Sequence, residues 1–341
     1  MKRDLLRKVL LISAVALLTV ACSKDDKNDD PKNQKVTVLL PDDSVIDRWA
    51  TDKENLEAIF GKYGFNTTFY TAPESEIGAA QQVDQLRNAI ESGSKYIVLT
   101  PIDYKKINQS GLLDKYPDVK VVCHDRFVQY NSHIAYLSSS DTKEIGRMQA
   151  MFLLNHLHSS NASSMTIEII QGPETDMNAK DYFDGAMELL KNYIDEGKLI
   201  VRSGKKQYSQ VKADSWEIAD GKEAMLDRLA SYETGQCPDM VLAANDNLAQ
   251  GVIEALRQAG ITKVPVITGQ DNTAMAQNNI KNGKQAMTID KNLKDMANNT
   301  ALIVNSLISG SPVQASQSIE VDNVTIPVFY SKITLLTIDS Y

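Results

Sequence analysis

The chain has 341 residues, 36 Lys and Arg against 44 Asp and Glu, and a formal net charge of −8. An acidic balance without a basic stripe argues against a nucleic-acid partner, which needs clustered Lys and Arg. The length and a 43% apolar content suffice for two lobes of ordinary size.

The chain opens with an address rather than a fold. Lys2, Arg3, Arg7 and Lys8 precede an apolar run at 9–20. Twelve residues are too few for a spanning helix, which needs about 20, and fit a secretory signal. The following Thr19-Val20-Ala21-Cys22 resembles a bacterial lipoprotein cleavage box, which makes Cys22 the expected lipidated residue and the cell envelope the expected location. Leu18 lies four before the Cys rather than the usual three, and an ordinary signal peptide with an incidental Cys is the alternative. Residues 23–34 (SKDDKNDDPKNQ) have no large apolar side chain and read as a flexible acidic tether. Removing residues 1–21, net +3, takes the chain from −8 to −11.

From Lys35 onward strand and helix patterns alternate. Strands are expected at 36–40, 67–71, 96–100, 120–124, 134–137, 166–170, 199–202, 240–243, 264–268 and 285–289. Helical periodicity appears at 80–92, 143–156, 182–195, 216–232, 248–259 and 293–307. Interleaving of this kind means βαβ units with right-handed crossovers. Ten strands exceed one sheet of usual size, so the expected fold is α/β with two doubly wound parallel-sheet lobes joined by a three-segment hinge. Asp141, with Glu144 three residues on, reads as a helix cap at the first crossing. The expected lobes are 35–140 plus 291–316 and 141–290 plus 317–341, the last strands (318–321, 325–330) returning to the second lobe.

Six polar clusters follow strand ends: Asp47-Arg48-Trp49, His124-Asp125-Arg126, Asp176-Met177-Asn178, Asn245-Asp246, Gln270-Asp271 and Asp290-Lys291. In parallel sheets these ends line one crevice, where ligands settle. Nucleotide-loop, zincin and nucleophile-elbow motifs are missing from the sequence. His156 and His158 are two apart and diverge on a helix, and no Cys/His spacing suits a metal. Cys123 and Cys237 read as buried free thiols. No cofactor, metal or catalytic residue is expected.

These features resemble the type I periplasmic sugar-binding proteins of bacterial ABC importers. The matching words are DDSVIDRW (42–49), DRF (125–127), DMNAK (176–180), YIDEGKLIV (193–201), AANDNLAQGVIEAL (243–256), ITGQDN (267–272) and AMTIDKNL (286–293), in the family's order over almost the whole chain after the tether. The resemblance implies ligand contacts from Arg48, Asp125, Arg126, Asn178, Asn245, Asp271 and Lys291, with Trp49 and Trp216 as aromatic walls. It implies a monosaccharide ligand such as D-xylose or a similar aldose, a monomer on a lipid anchor, and an ABC permease as partner. A membrane chemoreceptor or sensor kinase is the alternative partner. Carboxylates accept from paired hydroxyls, guanidinium groups donate in a fork, amides do both and indole faces cover C–H patches. Each residue also has an ordinary structural role open to it. Asp125-Arg126 suits a strand-end ion pair, Asn245 and Asp271 helix caps, Lys291 a surface position, and the two Trp a helix-face core.

Overall fold

The computed structural model describes residues 34–315, 317–321 and 323–341. The expected signal peptide, the Cys22 lipidation site and the tether as far as residue 33 lie outside them. The first lobe begins β1 (Lys35–Pro41), α1 (Arg48–Tyr63), β2 (Asn66–Ala72), α2 (Glu76–Glu91), β3 (Tyr96–Leu99), α3 (Tyr104–Gln109), α4 (Leu112–Lys115), β4 (Lys120–His124) and β5 (Ile134–Ser140). The second follows as α5 (Thr142–Ser159), β6 (Met165–Ile170), α6 (Met177–Asp195), β7 (Leu199–Ile200), α7 (Tyr208–Val211), α8 (Ile218–Leu229), β8 (Met240–Ala243), α9 (Asp246–Gln258), β9 (Val266–Ile267), α10 (Ala274–Lys281) and β10 (Thr288–Lys291). The remainder is α11 (Leu293–Ser309), β11 (Gln317–Val321), β12 (Val324–Ser331) and β13 (Ile333–Leu336).

Near-continuous apolar strands are buried on both faces by helices, as parallel sheets require. One sheet runs β11-β12-β5-β4-β3-β1-β2, parallel except for β11. The other runs β7-β6-β8-β9, all parallel. The architecture is therefore two-lobed α/β with parallel sheets. Helix α1 escapes an apolar-periodicity reading because Arg48 and Asp52 share its buried face with Trp49, Leu56, Ile59 and Phe60.

The placement of the last strands in the second lobe is corrected by the structure. Strand β12 pairs in parallel with β5, from Val328 opposite Leu137 to Ser331 opposite Ser140, and Ile326 and Val328 are fully buried in the first lobe's core. Strands β11 and β12 thus extend the first sheet. The expected strand at 285–289 forms later, at β10, and pairs with β13 in a separate antiparallel ribbon rather than joining the second sheet. The chain passes between lobes at Asp141, Asn292 and Lys332. Asp141 caps α5 by accepting from the Glu144 N–H at 2.9 Å. The crossings lie side by side: the Ser140 and Ser331 hydroxyls meet at 3.0 Å, and the Asn292 N–H donates to the Lys332 carbonyl at 3.0 Å.

Helices α5 and α6 cross where two glycines face the partner backbone. A Cβ at Gly146 would fall 2.0 Å from the Tyr182 carbonyl oxygen, and one at Gly185 2.1 Å from that of Lys143. Gly→Ala inside a helix ordinarily stabilises by up to about 1 kcal/mol. Here overpacking should reverse the sign: Gly146→Ala and Gly185→Ala are each expected to destabilise by about 1–3 kcal/mol, read as a lowered urea midpoint.

Candidate functional site

A cavity with about 240 Å³ of atom-free space lies between the lobes at the C-terminal ends of the strands. All nine residues singled out as ligand contacts or aromatic walls line it: Arg48, Trp49, Asp125, Arg126, Asn178, Trp216, Asn245, Asp271 and Lys291. Ile46, Asp176, Tyr182 and Gln270 complete its lining. Asp176 and Gln270 sit in polar clusters visible in the sequence. Tyr182, by contrast, is hidden in the amphipathic pattern of α6.

The centre of the site is a buried lattice of charges. The Arg48 guanidinium reaches Asp52 at 3.0 Å, Asp125 at 3.2 Å and Asp271 at 3.5 Å. The Lys291 ammonium reaches Asp271 at 3.1 Å and Asp125 at 3.5 Å. All five are essentially buried, and burial alone disfavours every charge. It would discharge Arg48, but Asp125, Asp52 and Asp271 outweigh it and hold the guanidinium charged. Burial and Arg48 would discharge Lys291, which Asp125 and Asp271 prevent. Burial would likewise raise Asp125, yet Arg48, Lys291 and Arg126 hold its carboxyl well below the usual range. Asp52 is also held low: burial opposes its charge, and His124 and Arg48 restore it. His124 is buried behind the site, its ring nitrogens against Asp52 at 3.2 Å and Thr300 at 2.7 Å.

A second chain of contacts runs through the aromatic walls. Trp49 Nε1 donates to Glu74 at 3.1 Å, and Trp216 Nε1 donates to Asp176 at 3.2 Å. Arg126 bridges these carboxylates, at 2.5 Å from Glu74 and 2.7 Å from Asp176. Burial raises both acids against the pull of Arg126. The guanidinium carbons of Arg48 and Arg126 lie 4.2 and 5.0 Å from the Trp49 ring centre, in cation–π range. Gly172 admits the Trp216 ring, since a Cβ there would fall 2.1 Å from it.

Backbone geometry aims the two central carboxylates. Asp125 has φ +62° and Asp271 φ +98°, with Asn272 at +54° beside it. Non-glycine residues adopt such angles only where surroundings enforce them. The Ser138 carbonyl takes the Asp125 N–H at 2.8 Å, and the Ile289 carbonyl takes that of Asp271 at 2.9 Å. Asp271 does not cap the next helix; Thr273 does. Asn245 Oδ1 caps α9 by accepting from Leu248 N–H at 3.0 Å, which leaves its amide NH2 as the group it can offer the cavity. Lys291 is buried rather than a surface residue. Asp125 Oδ1 is met at ion-pair distance by Arg48 and Lys291 without an aligned hydrogen bond, whereas Gln270 Oε1 is a buried acceptor that receives none, and an acceptor of this kind calls for a donor from elsewhere.

Several contacts cross the cleft directly. Asn178 Nδ2 donates to the Asp125 carbonyl at 3.2 Å and Asn247 Nδ2 to that of Val45 at 2.6 Å, while Lys105 and Glu174 pair at 3.2 Å. The lobes are thus closed on one another. Among the described residues no His, Cys, Asp and Glu group could hold a metal ion, and no helix is long and apolar enough to cross a membrane. Cys123 and Cys237 are buried free thiols, and burial pushes the Cys123 thiol up to about 12.

The model of the periplasmic binding protein domain matches residues 37–312. The chain belongs to the periplasmic binding protein family. It is 30% identical over 283 residues to the multiple sugar-binding periplasmic receptor ChvE of Rhizobium radiobacter, covering 81% of this chain and 78% of that one. It is 28% identical to the D-xylose-binding periplasmic protein of Escherichia coli strain K12, over 84% of this chain and 82% of the other. An ABC transporter solute-binding protein from Clostridium phytofermentans, solved with β-D-glucose, superposes with a TM-score of 0.84 at 27% identity, covering 90% and 95%. The chain is a binding protein rather than an enzyme, of a family that works outside the cytoplasm.

One buried carboxyl ties the start of α9 to the start of α10 and to strand β10. Asp246 accepts from Gln285 Nε2 at 2.9 Å, the Thr288 hydroxyl at 2.8 Å, and Thr273 through its N–H at 3.0 Å and its hydroxyl at 3.3 Å. Burial, then nearby Asp271, raises it to about 7 despite these donors. An unfolded Asp releases its proton near ~4. Between about pH 4 and 7 the folded state therefore binds more protons than the unfolded at this position, and its contribution to stability falls as pH rises. Thermal unfolding across that range should show a downward slope that Asp246→Asn reduces.

Proposed function

We propose that this protein captures one neutral monosaccharide, D-xylose or a similar aldose, between its lobes and hands it intact to an ABC permease. The observation that carries this reading is the composition of the interlobe cavity. Three cations (Arg48, Arg126, Lys291) and three carboxylates (Asp125, Asp176, Asp271) line it, so their formal charges cancel. A ligand with its own full charge would unbalance that set, whereas a ring of hydroxyls, each both donor and acceptor, suits it. The indoles of Trp49 and Trp216 supply apolar faces for C–H patches. Relatives named for multiple sugars and for D-xylose, and a neighbour holding β-D-glucose, support a carbohydrate.

Function then follows from closure. Arg48, Asp125 and Arg126 come from the first lobe, Asn178, Trp216, Asn245 and Asp271 from the second, and Lys291 from hinge strand β10. A ligand touching both halves binds the closed form better and shifts the population toward it. The permease reads the closed shape, and the lipid on Cys22 keeps the protein at the membrane.

Calorimetry and thermal shift on residues 23–341 with pentoses, hexoses and inositols test this. One saturable site is expected, with a raised Tm and the sugar recovered unchanged. Asp271→Ala and Arg126→Ala each remove one member of a buried charged set and should cost roughly 2–5 kcal/mol of binding. Absence of a shift with every sugar, or full affinity in both folded variants, defeats the reading.

A further inference from the structure

Beyond the sugar cavity the cleft opens into a second, larger chamber. It encloses about 1,430 Å³ of atom-free space, part of it open to solvent. Arg126, Asp176 and Trp216 line both chambers, so the partition between them is one side chain thick. Glu74 stands on the outer side only. The partition is continuous: Glu74 holds Arg126 at 2.5 Å, Arg126 holds Asp176 at 2.7 Å, and Asp176 accepts the Trp216 indole N–H at 3.2 Å. Glu74 also accepts the Trp49 N–H at 3.1 Å, which fixes the inner wall on the first-lobe side. The Glu74, Arg126 and Asp176 side chains are each 6% exposed or less.

We propose that Glu74 and Asp176 determine ligand size: through Arg126 they close the cavity against the outer chamber, so that one sugar ring is accepted and a ring carrying a second residue on that side is refused. The inference rests on the reading of the inner cavity as a saccharide site. Its chemical basis is the cost of breaching the partition. A glycosidic substituent leaving the cavity here must separate Arg126 from a carboxylate in a dry setting, and breaking one buried pair strands the other charge. On another side the cavity is bounded by the Arg48, Asp125 and Lys291 ion pairs, at the longer distances of 3.2 and 3.5 Å. The outer chamber is walled by polar side chains of both lobes, among them Ser75, Lys105, Thr175 and Asp214. A second ring released into it would meet hydrogen-bonding partners. The partition, rather than lack of space beyond it, is therefore what excludes the longer ligand. Glu74 acts as a positioning residue, since it reaches the cavity only through Trp49 and Arg126.

The test is a ratio of affinities. Calorimetry would compare the best free monosaccharide with its methyl glycosides and with disaccharides bearing the same ring, for the wild type, Glu74→Ala, Asp176→Ala and Glu74→Gln. The wild type is expected to prefer the free sugar by 100-fold or more over at least one linkage series. Glu74→Ala and Asp176→Ala should each narrow that preference tenfold or more, while Glu74→Gln, which keeps the bulk and an acceptor for Trp49 and Arg126 but loses the charge, should narrow it less than Glu74→Ala does. A merely structural role would weaken all ligands by one factor and leave the ratio alone. Wild-type affinity for disaccharides within tenfold of the monosaccharide, or an unchanged ratio in folded Glu74→Ala, overturns the proposal while the sugar site stands. Failure of the wild type to bind any saccharide overturns the reading beneath it as well. Should Asp176→Ala not fold, Glu74→Ala and the wild-type ratio decide.

Discussion

Everything at the cleft depends on burying Arg48, Asp52, Asp125, Asp271 and Lys291 together. Ions removed from water cost several kcal/mol each, and only close opposite charges offset that cost. The chain meets the requirement across its own domain boundary. Arg48 and Asp125 belong to the first lobe, Asp271 to the second, and Lys291 to hinge strand β10. Electrostatic satisfaction and lobe closure are consequently one event. The Arg48–Asp271 contact at 3.5 Å spans the two lobes, and the Gln270 acceptor faces the cavity.

The secondary structure serves that arrangement by bringing loops to one edge. Parallel strands deliver their C-terminal ends to the cleft in both lobes, so residues more than 200 positions apart become neighbours without long loops. Helix starts then set the side chains. Asp176 caps α6 with one oxygen and engages Trp216 and Arg126 with the other. Positive φ angles at Asp125 and Asp271 turn their carboxylates inward, against local preference and with the support of β5 and β10 backbone. Local strain at the site is thereby maintained by hydrogen bonding in the two strands that feed the hinge.

Correspondence between pattern and structure is uneven in an instructive way. Strands such as β1, β4 and β8 are short apolar runs bounded by polar clusters, and they stand where the sequence puts them. Helix α1 is obscured by the polar residues it contributes to the buried charge lattice, because Arg48 and Asp52 occupy inward positions an apolar stripe would fill. Glu74 carries no periodic signal at all; its importance comes from meeting Arg126 and Trp49, each distant in sequence. His124 reads as one more polar residue at a strand end, yet it points behind the site and steadies Asp52.

Alternation of strand and helix, polar groups at strand ends and the ordered family words are local properties, so the sequence alone established α/β lobes and the nine residues that share the cavity. Pairing partners are not local. The pattern of β12 would suit either sheet, and only hydrogen bonding to β5 and burial of Ile326 and Val328 assigned it to the first lobe. The ion-pair partners of Arg48 and Arg126 were likewise decided by tertiary structure, because which opposite charge satisfies a buried one depends on distances that exist only after the lobes have met.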